Sequence, residues 1–165
     1  MKRIIFVGQA MPRVKKDPHD WPALNAWLYS IGITNNQITK FFFYSALVDY
    51  FPGSKNGSHL VPTIEDIEKD RHRLHRTIAN FSPEIVVPIG KLSISHCLNQ
   101  KIDLVKTIGN KYYESAYGIP GKKLIIPLPH PSGASTWYKK EGNDLLLSQA
   151  LKLLKSAIWR GRRRS

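Results

Sequence analysis

The chain has one cysteine, Cys97, in 165 residues. A single thiol cannot close an internal disulfide, complete a cysteine-rich zinc site or hold a four-cysteine iron–sulfur cluster. The neighbouring His96 does not rescue a metal site, because further ligands at useful spacing are missing. Long hydrophobic runs are also missing. The opening run Ile4-Ile5-Phe6-Val7 is too short for a signal peptide, and no stretch approaches membrane-spanning length. Neither the Gly-x-Gly-x-x-Gly dinucleotide fingerprint nor the Gly-x-x-x-x-Gly-Lys-Ser/Thr phosphate loop occurs. There is no internal repeat and no low-complexity segment. These absences lead us to expect a soluble, cytoplasmic globular protein that uses no metal or other cofactor and does not engage a membrane.

Acidic residues are scarce relative to basic ones: 12 Asp and Glu stand against 25 Lys and Arg, a formal charge of +13. A surface of that sign attracts polyanions, and nucleic acid is the usual one. The length suits one domain, and 42% apolar residues suffice for a core. Four apolar runs read as buried strands: 3–8 (RIIFVG), 40–47 (KFFFYSAL), 84–90 (EIVVPIG) and 123–128 (KLIIPL). Continuous rather than alternating apolarity suits parallel strands covered on both faces. Helical spacing appears over 21–31, over 63–81 behind an N-cap at Thr63, over 91–98, and from about 143 to 158. In the second of these, acids come early (Glu65, Asp66, Glu68) and arginines late (Arg71, Arg73, Arg76), which matches the helix dipole. Strands alternating with helices predict a three-layer α/β/α sandwich around a central four-stranded parallel sheet. The domain is expected to span residues 1–158, with 159–165 as a basic C-terminal tail.

Open sheets of this kind place their sites at the carboxyl ends of the strands. That selects the loops 8–13, 49–55, 90–93 and 129–137, all rich in Gly, Pro, Ser and Lys. His130 stands between Pro129 and Pro131 on a stiff backbone that suits a donor needing to be aimed. Taken alone, the same turn also reads as an ordinary surface loop. Ser132 and Gly133 offer a hydroxyl and open backbone amides to a phosphate. Gly8 permits close backbone approach, so the amides of Gln9 and Ala10 can face an anion or a base edge. Lys55, Lys91 and Lys139 flank these loops, where they can track phosphates.

Taken together, the motifs resemble the uracil-DNA glycosylase superfamily. The glycine turn at Gly8-Gln9-Ala10 and the His130-Pro131-Ser132 turn resemble its first and last motifs. Phe43-Tyr44-Ser45-Ala46-Leu47 with the exit Pro52-Gly53 resembles its second strand. Pro62-Thr63-Ile64-Glu65 resembles the start of the following helix. Pro83-Glu84-Ile85-Val86-Val87-Pro88-Ile89-Gly90 resembles its third strand, and Gly109-Asn110-Lys111-Tyr112 the segment before the last strand. The resemblance runs from Arg3 to about Ile158. It is closest to the small microbial branch, whose iron–sulfur cysteines this chain lacks.

The resemblance implies an enzyme that flips a nucleotide and cuts the bond between sugar and base. It implies that His130 donates to the pyrimidine O2 as charge develops there, and that Ser132 and Gly133 touch the DNA backbone. The position that wedges into the base stack falls near Ala134, which is too small to fill a vacated site, so Trp137 or Tyr138 is expected to take over. Trp21 falls near the aromatic that stacks on the flipped base, and Phe43 near the pocket wall. The chain departs from the pattern at two places. Relatives carry a water-activating acid or Asn where this chain has Gln9 and Ala10; an amide positions water but takes no proton. Asp17 and Asp20, further along, are the carboxylates that could stand in. Ser45 occupies the place of an Asn that reads the uracil edge, which opens room for a larger base. No Lys is placed as a Schiff-base nucleophile. The expectation is a monofunctional DNA glycosylase for uracil or another altered pyrimidine, in double- or single-stranded DNA, monomeric and nucleoid-associated. The alternative is a DNA- or modified-base-binding protein of the same fold that has lost the reaction.

Overall fold

A computed structural model describes residues 1–11, 21–50, 52–55, 58–59, 61–131 and 137–159, without the side chains of 54–55 and 58–59. The apolar opening run forms β1 (Ile4–Ala10), whose first five residues are buried. Helix α1 (Pro22–Ser30) starts on a proline, which lacks the N–H that a first turn leaves unpaired anyway. Helix α2 (Asn35–Phe41) follows a capping box in which Thr34 and Gln37 bond reciprocally. Strand β2 (Phe42–Val48) comes next, then the small hairpin of β3 (Ser54–Lys55) and β4 (Ser58–His59). The span 63–81 forms two helices, α3 (Ile64–Lys69) and α4 (Arg71–Phe81). The chain continues through β5 (Ile85–Pro88), α5 (Lys91–Leu98), α6 (Leu104–Thr107), β6 (Tyr112–Glu114), β7 (Lys123–Ile125) and α7 (Asn143–Trp159).

The main sheet has five strands in the order β2-β1-β5-β7-β6. The first four are parallel, and β6 pairs antiparallel with β7. This corrects the expected four-stranded, wholly parallel sheet while keeping the three-layer α/β/α class. β6 escapes an apolar-run criterion because it is a three-residue edge strand with Tyr113 67% exposed. The first strand also runs two residues past the expected boundary: Ala10 is still in register with Val48, so Gln9 and Ala10 belong to the strand rather than to a turn. The helix expected over 63–81 breaks at Asp70, whose carboxylate accepts from the Asp49 backbone N–H at 2.6 Å and from Arg73 Nε at 3.0 Å.

Side chains alternate across the sheet. Phe6, Phe42 and Tyr44 share one face, with ring centroids 5.0 to 5.4 Å apart. There the Tyr44 hydroxyl donates to the buried Asn25 of α1 at 2.6 Å. Phe43 and Ser45 project from the opposite face toward Phe81 and Arg73 of α4. Helix α5 packs along β1 and β5. Its buried Ser93 hydroxyl donates to the Val7 carbonyl at 2.6 Å and shares a 2.7 Å hydrogen bond with Tyr117. Truncation there leaves a buried phenol short of a partner. We expect Ser93→Ala to lower the unfolding free energy by about 1–3 kcal/mol in urea titrations, with α/β circular dichroism retained.

Candidate functional site

Backbone hydrogen bonds gather the exits of the parallel strands onto one rim. Ile89 N–H donates to Val7 O at 2.9 Å, Leu128 N–H to Pro88 O at 3.0 Å, Gly90 N–H to Leu128 O at 2.9 Å, and Met11 N–H to Val48 O at 3.2 Å. The exits of β1, β2, β5 and the segment after β7 are therefore fixed relative to one another before any side chain is considered.

Gly90 is the N-cap of α5, with φ +86° and ψ 159°. That is a region of backbone space essentially confined to glycine. A Cβ built there would stand 3.5 Å from Cδ2 of His130. The bare backbone at 90 thus lies against the imidazole. His130 is half-buried between buried Pro129 and Pro131. Burial pulls its pKa below the ordinary 6.5, because an imidazolium would be poorly solvated there. A neutral ring keeps one N–H donor and one acceptor. Gly8 differs from Gly90: a Cβ at 8 would have only Ser45 O within reach, at 3.9 Å, so packing does not demand glycine. Gln9 and Ala10 are half-buried at the end of β1.

Beside the free edge of β2 lies a pocket of about 180 Å³ lined by Met11, Phe43, Tyr44, Ser45, Asp49, Arg73 and Thr77. Phe43 is 42% exposed and rests on Phe81, with centroids 5.5 Å apart. Arg73 crosses from α4 to the strand. Its Nη1 donates to Ser45 Oγ at 3.1 Å and its Nη2 to Ala46 O at 2.6 Å, while Nε holds Asp70. Ser45 therefore accepts from the guanidinium. Asp49 follows the last residue of β2, directly after the carbonyl that Met11 binds.

The residues expected from sequence divide among several places. Gly8, Gln9, Ala10, Lys91 and His130 belong to the rim, Lys91 as the exposed first residue of α5. Phe43 and Ser45 line the edge pocket. Trp21 packs on the other side of β2, edge-on to Tyr44 at 6.3 Å, and is not among the residues lining that pocket. Tyr44 itself titrates above the ordinary phenol range because it is buried. Trp137 and Lys139 form a 3₁₀ turn, held where Asn143 Nδ2 donates to Trp137 O at 2.9 Å and where Tyr138 meets Trp27 edge-on at 5.3 Å. Asp17, Asp20, Ser132, Gly133, Ala134 and the Lys55 side chain lie outside the described residues. Sequence reasoning passed over Arg73 and Asp49. Arg73 reads as one more cation complementing a helix dipole, and only its i,i+3 spacing from Asp70 hints at a fixed arm.

The iron–sulfur cluster of the small microbial branch does not fit this chain. Its one cysteine is buried beside Tyr117, and burial pushes the thiol up to about 12, far from the thiolate a cluster needs.

An open α/β sheet with its exits tied into one rim belongs to the class of folds whose sites gather at the carboxyl ends of the strands. The family model of the Uracil DNA glycosylase superfamily matches residues 2–155, and the chain belongs to that superfamily. Membership supports a DNA glycosylase activity, a hydrolase chemistry of DNA repair with DNA as the substrate. No curated protein matches the chain. Among solved structures, one titled "anomalous substructure of MogA" matches at 16% identity over 94% of this chain and 99% of that one, with a TM-score of 0.37. That likeness is too slight to bear on fold or function. No helix among the described residues is long and apolar enough to cross a membrane.

The environment of His130 yields a direct expectation. Its imidazole should titrate with a midpoint below 6.5 in a ¹H–¹⁵N spectrum. The unfolded chain then takes up this proton before the folded one does, so the contribution of His130 to stability falls as pH drops through 6.5.

Proposed function

We propose that the protein is a monofunctional DNA glycosylase that extrudes an altered pyrimidine nucleotide, uracil or a derivative, and hydrolyses its N-glycosidic bond. The observation that carries this reading, within the family, is a neutral, half-buried His130 on a proline-flanked loop against the bare backbone of Gly90.

In this reading the neutral imidazole donates to the pyrimidine O2 as the bond to the sugar lengthens. A neutral donor matches an oxygen that gains charge only in the transition state. The exits of β2 and β7 are three strand spacings apart, roughly 14 Å. In this reading the flipped ring lies over the ends of β1 and β5, with His130 on the loop after β7 against Gly90. The amides of Gly8, Gln9 and Ala10 approach the edge of that ring. Ser132, Gly133, Lys55, Lys91 and Lys139 hold the phosphates, with Ala134 and Trp137 at the vacated stack. The chain works as a monomer where DNA is found, in the cytoplasm on the nucleoid. Its 1–158 domain does the chemistry, and the basic end from 159 adds non-specific affinity.

Hydrolysis needs water activated near the sugar. Gln9 orients that water, and a carboxylate takes its proton. Asp17 and Asp20 are candidates by sequence. Asp49 is a third, supported by its place in the edge pocket beside Met11 at the end of the first motif.

Single-turnover excision on duplex and single-stranded oligonucleotides, each with one modified pyrimidine, tests the reading. Release of at least one base is expected, and His130→Ala should slow it by about 100-fold or more with DNA affinity retained. Absence of release from every substrate, with salt-dependent DNA binding intact, would leave the binding protein that the missing first-motif carboxylate favours. Among Asp17→Asn, Asp20→Asn and Asp49→Asn, we expect Asp49→Asn to cost about 100-fold in the excision step and the other two to cost little.

A further inference from the structure

We propose that Ser93 and Tyr117 are positioning residues for base excision: a one-way chain of hydroxyls, from Tyr117 to Ser93 to the Val7 carbonyl, clamps the peptide that leads into Gly8-Gln9-Ala10 and so aims the first motif. This rests on the glycosylase reading and adds two buried residues to the machinery of that same site.

The Ser93 hydroxyl has one proton, and that proton goes to the Val7 carbonyl at 2.6 Å. In the 2.7 Å bond between Ser93 and Tyr117 the phenol is therefore the donor. Burial holds Tyr117 well above the ordinary phenol range, so this donor keeps its proton. Each hydroxyl polarises the next, and Val7 receives a stronger bond than a lone serine would give. The same carbonyl accepts the Ile89 N–H at 2.9 Å, so both of its lone pairs are used. A strand carbonyl needs only its ladder bond. The second donor fixes the plane of the peptide as well as its distance from β5.

That peptide matters because the carbonyl of Val7 and the N–H of Gly8 share one rigid plane. Gly8 stays extended within β1, outside the left-handed region. A Cβ there would meet only Ser45 O, at 3.9 Å, so no packing holds residue 8 in place. Glycine is also the residue with the most backbone freedom to lose. The softest link of the strand thus stands directly before Gln9. Beyond it the strand is held by the register of Ala10 with Val48 and by the Met11 N–H on Val48 O at 3.2 Å. Before it, Ser93 adds the hold that the glycine lacks.

The other end of the chain is anchored by backbone. Tyr117 has φ +56°, a left-handed conformation that a buried tyrosine keeps only where its surroundings impose it. Its N–H donates to Cys97 O at 3.1 Å, and its carbonyl accepts from His75 Nε2 at 2.8 Å. Gly118 follows at φ +77°, where a Cβ would stand 2.6 Å from Arg71 Nη2. A turn braced by α4 and α5 therefore presents one phenol to one atom, Ser93 Oγ. Joining β6 to β7 requires no buried left-handed tyrosine; aiming that phenol does.

The test is a double-mutant cycle on the full chain, read by single-turnover excision of its fastest modified-pyrimidine substrate, by DNA-binding anisotropy and by urea unfolding. Ser93→Ala should slow excision by about tenfold to hundredfold, with DNA affinity within about threefold of the parent. Tyr117→Phe leaves the Ser93–Val7 bond in place and should slow excision less. The double variant Ser93→Ala/Tyr117→Phe no longer strands a phenol, so its stability should return toward that of the parent. Its excision should stay as slow as that of Ser93→Ala, because Val7 still lacks its second donor. A rate that recovers together with stability makes the pair a structural prop and overturns the proposal, as does native-rate excision by Ser93→Ala. If Ser93→Ala fails to melt cooperatively, the double variant alone carries the comparison. Failure of the native chain to excise any base removes the glycosylase reading instead. The clamp is then decided by the ¹⁵N resonance of Gly8 and by hydrogen exchange at residues 8–10: both should change in the double variant, and unchanged values overturn it.

Discussion

The carbonyl of Val7 is the point on which the rest of the rim depends. It accepts the Ile89 N–H, which joins β1 to the exit of β5, and the Ser93 hydroxyl, which joins β1 to α5. Ile89 in turn bridges Leu128, and Gly90 binds the Leu128 carbonyl, so the histidine loop is aligned from the same residue. Ser93 also engages Tyr117, whose carbonyl meets His75 Nε2 of α4 at 2.8 Å. A single acceptor at the end of one strand thus links the sheet, two helices and the histidine loop. Buried networks of this kind leave little freedom, because every lost bond strands a polar group away from water.

Electrostatics act at two scales. The formal charge of +13 is a long-range property that suits a phosphate backbone. Inside the rim the protein works with few charges, each held in place. Arg73 is paired with Asp70 and fixed on the strand, and burial pulls the His130 pKa below its ordinary value. The long-range charge of the chain and the fixed charges near the strand exits are therefore separate physical features, one set by composition and the other by tertiary contacts.

How much of this was legible in the sequence depends on the type of signal. The runs around Ile4, Phe42, Ile85 and Leu124 are continuous and apolar, so the central strands could be read from hydrophobicity. The Thr63 cap could be read from local chemistry, and its capping box with Asp66 is present. His130 stood out by its prolines and by its order relative to Gly8. Three other features carry no such mark. β6 is short and polar at its edge, α2 is a polar helix set by the Thr34–Gln37 box, and the break at Asp70 arises because its carboxylate turns to the Asp49 backbone far along the chain. Trp21 packs edge-on against Tyr44, a contact that no local pattern announces.

The sequence by itself determined the α/β layering, the basic surface, the absence of a cysteine-ligated cluster and the candidacy of His130, because hydrophobic period, charge and residue type are local quantities. Only the tertiary structure decided that Gly90 rather than Gly8 is the glycine with a constrained backbone, that Arg73 reaches across to Ser45, and that Asp49 shares a pocket with Met11. Those facts depend on which strands neighbour one another and on where a long side chain finds its acceptors. Such pairings join residues 28 positions apart, as for Arg73 and Ser45, or 86 apart, as for Ser93 and Val7, and no local pattern encodes them.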